Sequence, residues 1–300
     1  MIKTEGLTKK FGEFTALDSI TCTIGDGSIY GMIGSNGAGK STFLRTISGV
    51  YRADAGSVTA DGDSVWNNPS VKGRMAFVPD DIYFFAGADM ERMANAYASI
   101  YKTFDRARFR DISGTLGLDT KKALSTFSKG MRRQAATILA LSARPEYIFF
   151  DETFDGLDPV MRNLVKKLIY EDVIDRGTTA VITSHSLREL EDTCDQLALL
   201  HRGGLVLESD IQKLKTAKFK IQIAFDHDYG PEIFEGVEVS RLDRRGSVTN
   251  MIVSGDREET VEKLKALHPI LLEVLPLSLE EIFTYEMEAL GYAYDIKEVS

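Results

Sequence analysis

The sequence predicts an α/β fold that is followed by a smaller α+β appendage. Two short apolar runs, 147–150 and 179–183, flank the helical pattern 161–175, which is the order of a parallel sheet wrapped by helices. After about residue 212, apolar and polar residues alternate as they do in half-buried strands. The chain has 300 residues, 43% of them hydrophobic, which is enough to bury a sizeable core.

The domain organisation follows from changes in composition along the chain. The first 70 residues contain short strands separated by turn signals. The region from about 87 to 141 is rich in Ala, Met, Arg and Leu, which predicts several helices. We therefore expect a first domain at 1–215 and a C-terminal α+β domain at 216–300.

Charge and cysteine content argue against several classes of protein. The formal net charge of −9 disfavours a nucleic-acid binder, because such proteins normally present a basic surface to the phosphate backbone. Cys22 and Cys194 lie far apart, which argues against a disulfide framework or a zinc site and fits a reducing cytoplasm. No apolar run approaches the roughly 18 residues of a membrane-spanning helix, and no signal peptide is evident. We expect a cytoplasmic chain that another protein would have to hold at any membrane.

A glycine-rich loop is the strongest chemical signal in the sequence. The segment 34–41 matches the P-loop pattern and stands between a predicted strand and a predicted helix. Glycines let successive backbone N–H groups surround phosphate oxygens, and the start of the helix adds positive potential. Lys40 is expected to bridge the β- and γ-phosphates, and Ser41 to bind Mg²⁺. The nucleotide-binding residues expected here are Gly34, Ser35, Asn36, Gly37, Ala38, Gly39, Lys40, Ser41 and Thr42.

Two adjacent carboxylates follow the apolar run 147–150. A buried strand delivers such groups to the carboxyl edge of a sheet, where ligands collect in α/β proteins. Asp151 is expected to hold Mg²⁺, mostly through water, and Glu152 to act as the general base toward an attacking water. An acidic pair after a strand is also typical of a solvated strand end, but its combination with the P-loop favours the catalytic interpretation.

The segment 127–134, Phe-Ser-Lys-Gly-Met-Arg-Arg-Gln, resembles the signature motif of the ATP-binding cassette (ABC) ATPases, which is usually Leu-Ser-Gly-Gly-Gln. Ser128 and Gly130 match that motif, whereas Phe127, Lys129 and Met131 depart from its commonest form. The resemblance implies the fold of the family, a P-loop NTPase cassette with a mixed sheet core, an antiparallel β subdomain and a helical subdomain. It also implies that Ser128 and Gly130 bind nucleotide.

Further matches to this family extend over about residues 1 to 210. Asp158 lies in a segment similar to the D-loop, in the position that contacts the second protomer of a dimer. His185 ends a strand, as the switch histidine of the family does, and would touch the γ-phosphate. Phe11 lies where an aromatic residue stacks on adenine. The resemblance thus implies ATP and Mg²⁺ as cofactors and adds these three residues to the site.

One position departs from the family's pattern. The loop after the predicted strand 75–78 normally carries a glutamine that senses Mg²⁺ and the γ-phosphate, and Asp80 stands there instead. Asp80 is retained as a candidate metal residue, although its shorter, charged side chain favours contact through water and a relay of nucleotide state to the helical region. The aromatic residues 83–85 either line a groove for a partner helix or are buried under the helical subdomain.

The leading hypothesis from this resemblance is an ATP-hydrolysing subunit of an ABC transporter. The chain carries one P-loop and one signature motif, and in the family these face each other across two protomers. A homodimer or heterodimer of ATPase subunits is therefore expected. The expected partner is an integral membrane permease that holds the subunit at the inner face of the cell membrane. The C-terminal segment 278–283 resembles the extension of exporter-type ATPases with separate permease chains, which favours export.

The sequence argues against two other classes of function. A soluble ABC ATPase acting on nucleic acid or ribosomes is the alternative, but its relatives carry a long coiled-coil insertion or two cassettes, and the acidic charge balance disfavours it. A P-loop GTPase is disfavoured because the sequence has no Asn-Lys-x-Asp motif and because that class leaves the segment 128–134 unexplained.

Overall fold

The computed structural model describes residues 1–289, apart from the side chains of 215–217 and 285–289. Within that part, the chain divides into two compact units, Met1–Glu208 and a second unit that begins at Ser209. The first unit contains every residue that the sequence analysis assigns to nucleotide chemistry.

Two β-sheets form the framework of the first unit. Its strands are β1 (Ile2–Phe11), β2 (Phe14–Ile24), β3 (Ile29–Ile33), β4 (Ala55–Ala60), β5 (Asp63–Ser64), β6 (Met75–Val78), β7 (Tyr147–Asp151), β8 (Thr179–Ser184), β9 (Gln196–His201) and β10 (Gly204–Asp210). One sheet is antiparallel with the order β2-β1-β4-β5, and the other has the order β10-β9-β3-β8-β7-β6. In the second sheet, β9, β3, β8, β7 and β6 are parallel. Since β3, β7 and β8 are buried along their whole length, their sequences are largely apolar runs.

Helices connect these strands. They are α1 (Lys40–Ile47), α2 (Pro69–Lys72), α3 (Met90–Ile100), α4 (Arg106–Thr115), α5 (Lys129–Ser142), α6 (Pro159–Arg176) and α7 (Leu187–Glu191). Helices α3 to α5 occupy the region in which the sequence predicts a helical subdomain. Helix α6 joins the parallel strands β7 and β8. It begins with the cap Asp158 and a proline at the first turn, and it ends at Gly177, whose φ is +67°.

The core of the first unit connects both sheets with α1. Phe43 of α1, Leu17 of β2 and Phe149 of β7 are fully buried in one cluster. Burial of a large apolar side chain contributes about 1.5–3 kcal/mol to folding. This packing fixes the start of α1 relative to the carboxyl ends of β3 and β7, where the candidate site lies.

The second unit has its own sheet and its own core. Its elements are α8 (Ile211–Ala217), β11 (Lys218–Ala224), β12 (Val239–Arg245), β13 (Val248–Ser254), α9 (Arg257–Lys265), β14 (Leu271–Leu275) and α10 (Leu279–Ala289). The sheet is antiparallel with the order β12-β13-β11-β14, and Ile221, Met251 and Leu264 are buried in its core. Helix α8 contacts β11 and α10, so the units divide before residue 215, the boundary that the sequence suggests. No helix in the described residues combines the length and the apolar character that crossing a membrane requires.

Candidate active site

The glycine-rich loop 34–39 runs from the end of β3 to the start of α1 and needs glycine for two reasons. Gly39 has a φ of +108°, in the left-handed region that favours glycine. The loop is also packed closely against the chain, because a Cβ at Gly39 would lie 2.7 Å from the carbonyl oxygen of Ala16. A Cβ at Gly34 would overlap the carbonyl oxygen of Leu200. The backbone of β2 and β9 therefore fixes the loop, which presents the N–H groups at the start of α1.

Lys40 is buried at the centre of the site. Its Nζ donates to the carbonyl oxygens of Gly34 at 2.6 Å and Ser35 at 3.2 Å. The same nitrogen lies 3.4 Å from Glu152 Oε1. The ammonium group is thus inside the curve of the loop, directly beside the predicted general base.

Asp151 ends β7 and is completely buried. Its Oδ1 accepts hydrogen bonds from Ser41 Oγ at 2.8 Å and from Thr183 Oγ1 at 2.9 Å, while Oδ2 has no hydrogen-bond partner among the described residues. Burial raises the pKa of Asp151, and the two hydroxyl donors and Arg45, whose Nη2 is 3.9 Å from Oδ2, act in the opposite direction. A buried carboxylate oxygen without a donor, next to a serine hydroxyl, fits a hard divalent cation that prefers oxygen ligands.

Glu152 has an unusual backbone conformation for a residue with a side chain. Its φ is +48°, and its N–H donates to Thr183 Oγ1 at 3.1 Å. The carboxylate lies between two basic groups, because Oε2 is 3.5 Å from His185 Nδ1 and Oε1 is beside Lys40. The structure therefore brings together Lys40, Glu152 and His185, which are far apart in the sequence.

Phe11 ends β1 and remains 47% exposed. Its ring contacts the ring of Tyr51 edge to face, with 5.5 Å between the ring centroids, and Lys9 Nζ lies 5.3 Å from the Phe11 centroid. An exposed aromatic surface at this position is compatible with the base stacking that the family resemblance implies.

Ser128, Gly130 and Asp158 lie at the starts of two helices. Ser128 Oγ caps α5 by accepting from the N–H of Met131 at 3.2 Å. Asp158 Oδ1 caps α6 by accepting from the N–H groups of Val160 at 3.0 Å and Met161 at 3.1 Å. A Cβ at Gly130 would lie 3.2 Å from the carbonyl oxygen of Gly156, so the two helix starts are close to each other. Among the described residues, the side-chain hydrogen bonds of Ser128 and Asp158 stay within their own helices.

Asp80 follows β6 and has a different partner from the other acidic residues. Its Oδ1 accepts a hydrogen bond from Arg133 Nη2, and 51% of its side chain is exposed. The structure thus directs Asp80 toward α5, whereas Ser41 and Asp151 contact each other. Of the aromatic residues that follow Asp80, Tyr83 and Phe85 are exposed.

Sequence reasoning did not assign a role to three residues that contact the site. Thr183 joins Asp151 to the backbone of Glu152, Arg45 lies beside Asp151, and Arg133 donates to the carbonyl of Glu152. Thr183 stands two residues before His185, and this proximity in the sequence could have indicated that Thr183 lies at the site. Arg133 lies within the signature-like segment, but arginine is mostly exposed in proteins, so its burial has no signal in the sequence.

Comparison with known proteins gives consistent matches along the chain. A family model described as ABC transporter matches residues 17–155. The ABC transporter ATP-binding protein YtrB of Bacillus subtilis (strain 168) is 31% identical over 283 residues, which cover 94% of this chain and 97% of YtrB. The bacitracin transport ATP-binding protein BcrA of Bacillus licheniformis is 30% identical, covering 73% of each chain. The daunorubicin/doxorubicin resistance ATP-binding protein DrrA of Streptomyces peucetius is 31% identical, covering 72% of this chain and 67% of DrrA.

Solved structures agree with the fold described above. An ATP-binding subunit of an ABC transporter superimposes with a TM-score of 0.67 at 22% identity, over 72% of this chain and 92% of that one. The cassette MJ0796, solved as a dimer in a post-hydrolysis state with ADP and Pi, gives a TM-score of 0.63 at 21% identity, over 70% and 99% of the two chains. The similarity to YtrB along nearly the whole chain, on this fold, makes the protein a member of the ABC transporter family, as an ATP-binding subunit with ATPase activity.

Proposed function

We propose that this chain hydrolyses MgATP in a dimer of ATPase subunits and thereby drives export through a separate membrane permease. The observation that carries the proposal is the position of the Glu152 carboxylate, between Lys40 Nζ at 3.4 Å and His185 Nδ1 at 3.5 Å. This arrangement joins a phosphate-binding cation, a base and a second polar group at one edge of the parallel sheet.

The residues of the site have separate roles in the proposed reaction. The N–H groups at the start of α1 and the Lys40 ammonium bind the β- and γ-phosphates. Ser41 and Asp151 would hold Mg²⁺, which supplies charge neutralisation of the phosphates when bound. Glu152 accepts the proton of the attacking water, and His185 contacts the γ-phosphate. Because the carboxylate of Asp80 is paired with Arg133, its contact with the metal would run through water.

Dimerisation is proposed from the position of the signature-like residues. Ser128 is exposed at the start of α5, Gly130 follows it, and Asp158 starts α6 nearby. A helix start with an exposed cap residue suits an anion, and the nucleotide it would bind belongs to a second subunit. Both subunits of a homodimer would carry Glu152 and His185, so both sites would be competent. A heterodimer with another ATPase subunit is the alternative arrangement.

Export is supported by the names of two relatives. BcrA is described as a bacitracin transport protein and DrrA as a daunorubicin/doxorubicin resistance protein. We therefore assign this chain to a membrane permease at the inner face of the cell membrane rather than to nucleic acid or ribosomes. Purification of the tagged chain from detergent-solubilised membranes tests this, because a co-purifying membrane protein is expected. Co-purification of nucleic acid instead would contradict it.

The dimer can be tested with three variants. Glu152→Gln is expected to trap a dimer on gel filtration with MgATP, since it should bind ATP and hydrolyse it very slowly. Adding Ser128→Arg, which puts a large charged side chain on the proposed interface, should leave the protein monomeric. Adding Ser99→Arg, at an exposed position on α3, is the matched control and should leave the dimer intact. A dimer that survives Ser128→Arg would contradict the proposed interface.

A further inference from the structure

Arg133, at the start of the second turn of α5, carries a guanidinium group inside the first unit, and only 1% of the residue is exposed. A buried guanidinium needs partners for its N–H groups, because removing the charge from water is costly. Nη1 donates to the backbone carbonyl of Glu152, and Nη2 donates to Asp80 Oδ1. Asp155 Oδ2 lies 3.8 Å from Nη2. One side chain therefore joins the loop after β6 to the residue that follows β7.

The hydrogen bond to Glu152 acts on a peptide with an uncommon conformation. The φ of +48° is one that a residue with a Cβ keeps only when its surroundings hold it. Two bonds do so, because the N–H donates to Thr183 Oγ1 and the carbonyl accepts from Arg133. Since the side chain leaves from the same Cα, these bonds also set the direction of the carboxylate between Lys40 and His185.

The other end of the guanidinium holds the segment 80–84. Asp80 accepts from it, and the preceding residue of α5, Arg132, donates to the carbonyl of Ile82 at 2.7 Å. The guanidinium of Arg132 also lies 5.4 Å from the ring centroid of Phe84. Two successive arginines of one helix thus bind this segment. A displacement of the segment 80–84 would therefore move the Arg133 guanidinium, which also binds the backbone carbonyl of Glu152.

We propose that Arg133 is a positioning residue of the ATPase reaction, which orients Glu152 and couples that orientation to Asp80. The inference rests on the proposed role of Glu152 as general base. Arg133 acts through the Glu152 peptide and not by contact with nucleotide. Its loss slows the chemical step, whereas ATP binding, which depends on Lys40 and the glycine-rich loop, is retained.

The test measures steady-state hydrolysis and equilibrium ATP binding for full-length variants. Arg133→Gln is expected to lower kcat by about 10- to 100-fold, the effect of a misplaced catalytic group, with little change in the Kd for ATP. Arg133→Lys should recover part of kcat, because an ammonium can still reach one of the two acceptors. Asp80→Ala should lower kcat by less, since Arg133 keeps its bond to Glu152. In the Arg133→Gln background, Asp80→Ala should add no further loss.

A purely structural role for Arg133 makes a different prediction, and Arg108 supplies the matched control. Arg108 Nη2 donates to the buried Asp172 Oδ1 at 2.6 Å, so this guanidinium binds a carboxylate other than Asp80 and a residue other than Glu152. Arg108→Gln should therefore lower Tm without lowering kcat. An Arg133→Gln protein with the kcat of the wild type would overturn the proposal. If Arg133→Gln does not fold, a wild-type kcat for Asp80→Ala, whose side chain is half exposed, overturns it.

Glu152→Gln separates this inference from the proposed function. Hydrolysis by Glu152→Gln at the wild-type rate would mean that the proposed base is wrong. An inactive Glu152→Gln together with an unimpaired Arg133→Gln would mean that only the positioning role is wrong. Loss of kcat in both variants, with ATP binding retained, supports both.

Discussion

Replacing Glu152 by glutamine removes one charge at the centre of the site and keeps the size of the side chain. The carboxylate oxygens lie 3.4 Å from Lys40 Nζ and 3.5 Å from His185 Nδ1, and an amide fits into the same space. The amide cannot accept the proton of an attacking water. We therefore expect a variant that binds ATP and hydrolyses it very slowly.

Loss of the carboxylate affects the rate of hydrolysis and the affinity for ATP in different ways. A positioned general base is worth about 10²–10⁴-fold in rate, which corresponds to about 3–5 kcal/mol of barrier. A carboxylate about 4 Å from a phosphate charge costs about 1–4 kcal/mol, depending on screening. Its removal therefore favours bound ATP. The expected result is a kcat lower by at least about 100-fold, with a Kd for ATP equal to or below that of the wild type.

Phosphate release under steady-state conditions gives kcat, and titration with a fluorescent ATP analogue gives the Kd. Glu171→Gln is the matched control, because Glu171 lies on α6 and its carboxylate is 3.9 Å from Lys167 Nζ on the same helix. That variant should hydrolyse ATP as the wild type does. Wild-type hydrolysis by Glu152→Gln would refute the assignment of the base and the reasoning from its position.

Three further predictions concern stability. A chain that ends at Asp210 should fold and bind ATP, since the two units have separate cores; an aggregated product would contradict this. Asp158→Ala should lower the free energy of unfolding by about 1 kcal/mol, measured by thermal unfolding, because the α6 cap is lost. Asp158→Asn should lower it much less. Gly34→Ala should cost about 1–3 kcal/mol because its Cβ meets the Leu200 carbonyl. Gly114→Ala is the control, because a Cβ there meets no atom of the described residues within 4 Å, and equal losses for both glycines would refute the packing argument.

The fold class was predictable because buried strands leave a local signal. The apolar run 147–150 corresponds to β7, and the predicted strand 75–78 corresponds to β6. The glycine-rich segment joins a strand to a helix, as its pattern requires. The division of the chain at Glu208 was not predictable from such patterns, because it depends on the elements that α8 contacts.

The candidate site was predictable where a residue type and its place at a strand end indicate its chemistry. Ser41 and Asp151, which the sequence analysis expects to hold Mg²⁺, lie in hydrogen-bonding contact, and their metal-binding role stays a prediction. Arg133 was not predictable, because its partners Asp80 and Glu152 are 53 and 19 residues away and are reached only through the tertiary structure. Composition and periodicity predict that an arginine is exposed, whereas Arg133 is buried.

The left-handed backbone at Glu152 has a consequence for how this protein evolves. The left-handed conformation destabilises a residue with a Cβ by about 1–2 kcal/mol relative to glycine, which adopts it without steric conflict. Selection for stability alone therefore favours glycine or asparagine at this position, and selection for turnover favours glutamate. Stability and activity oppose each other at this residue, so a lineage that lost the need for hydrolysis would gain stability by abandoning the base.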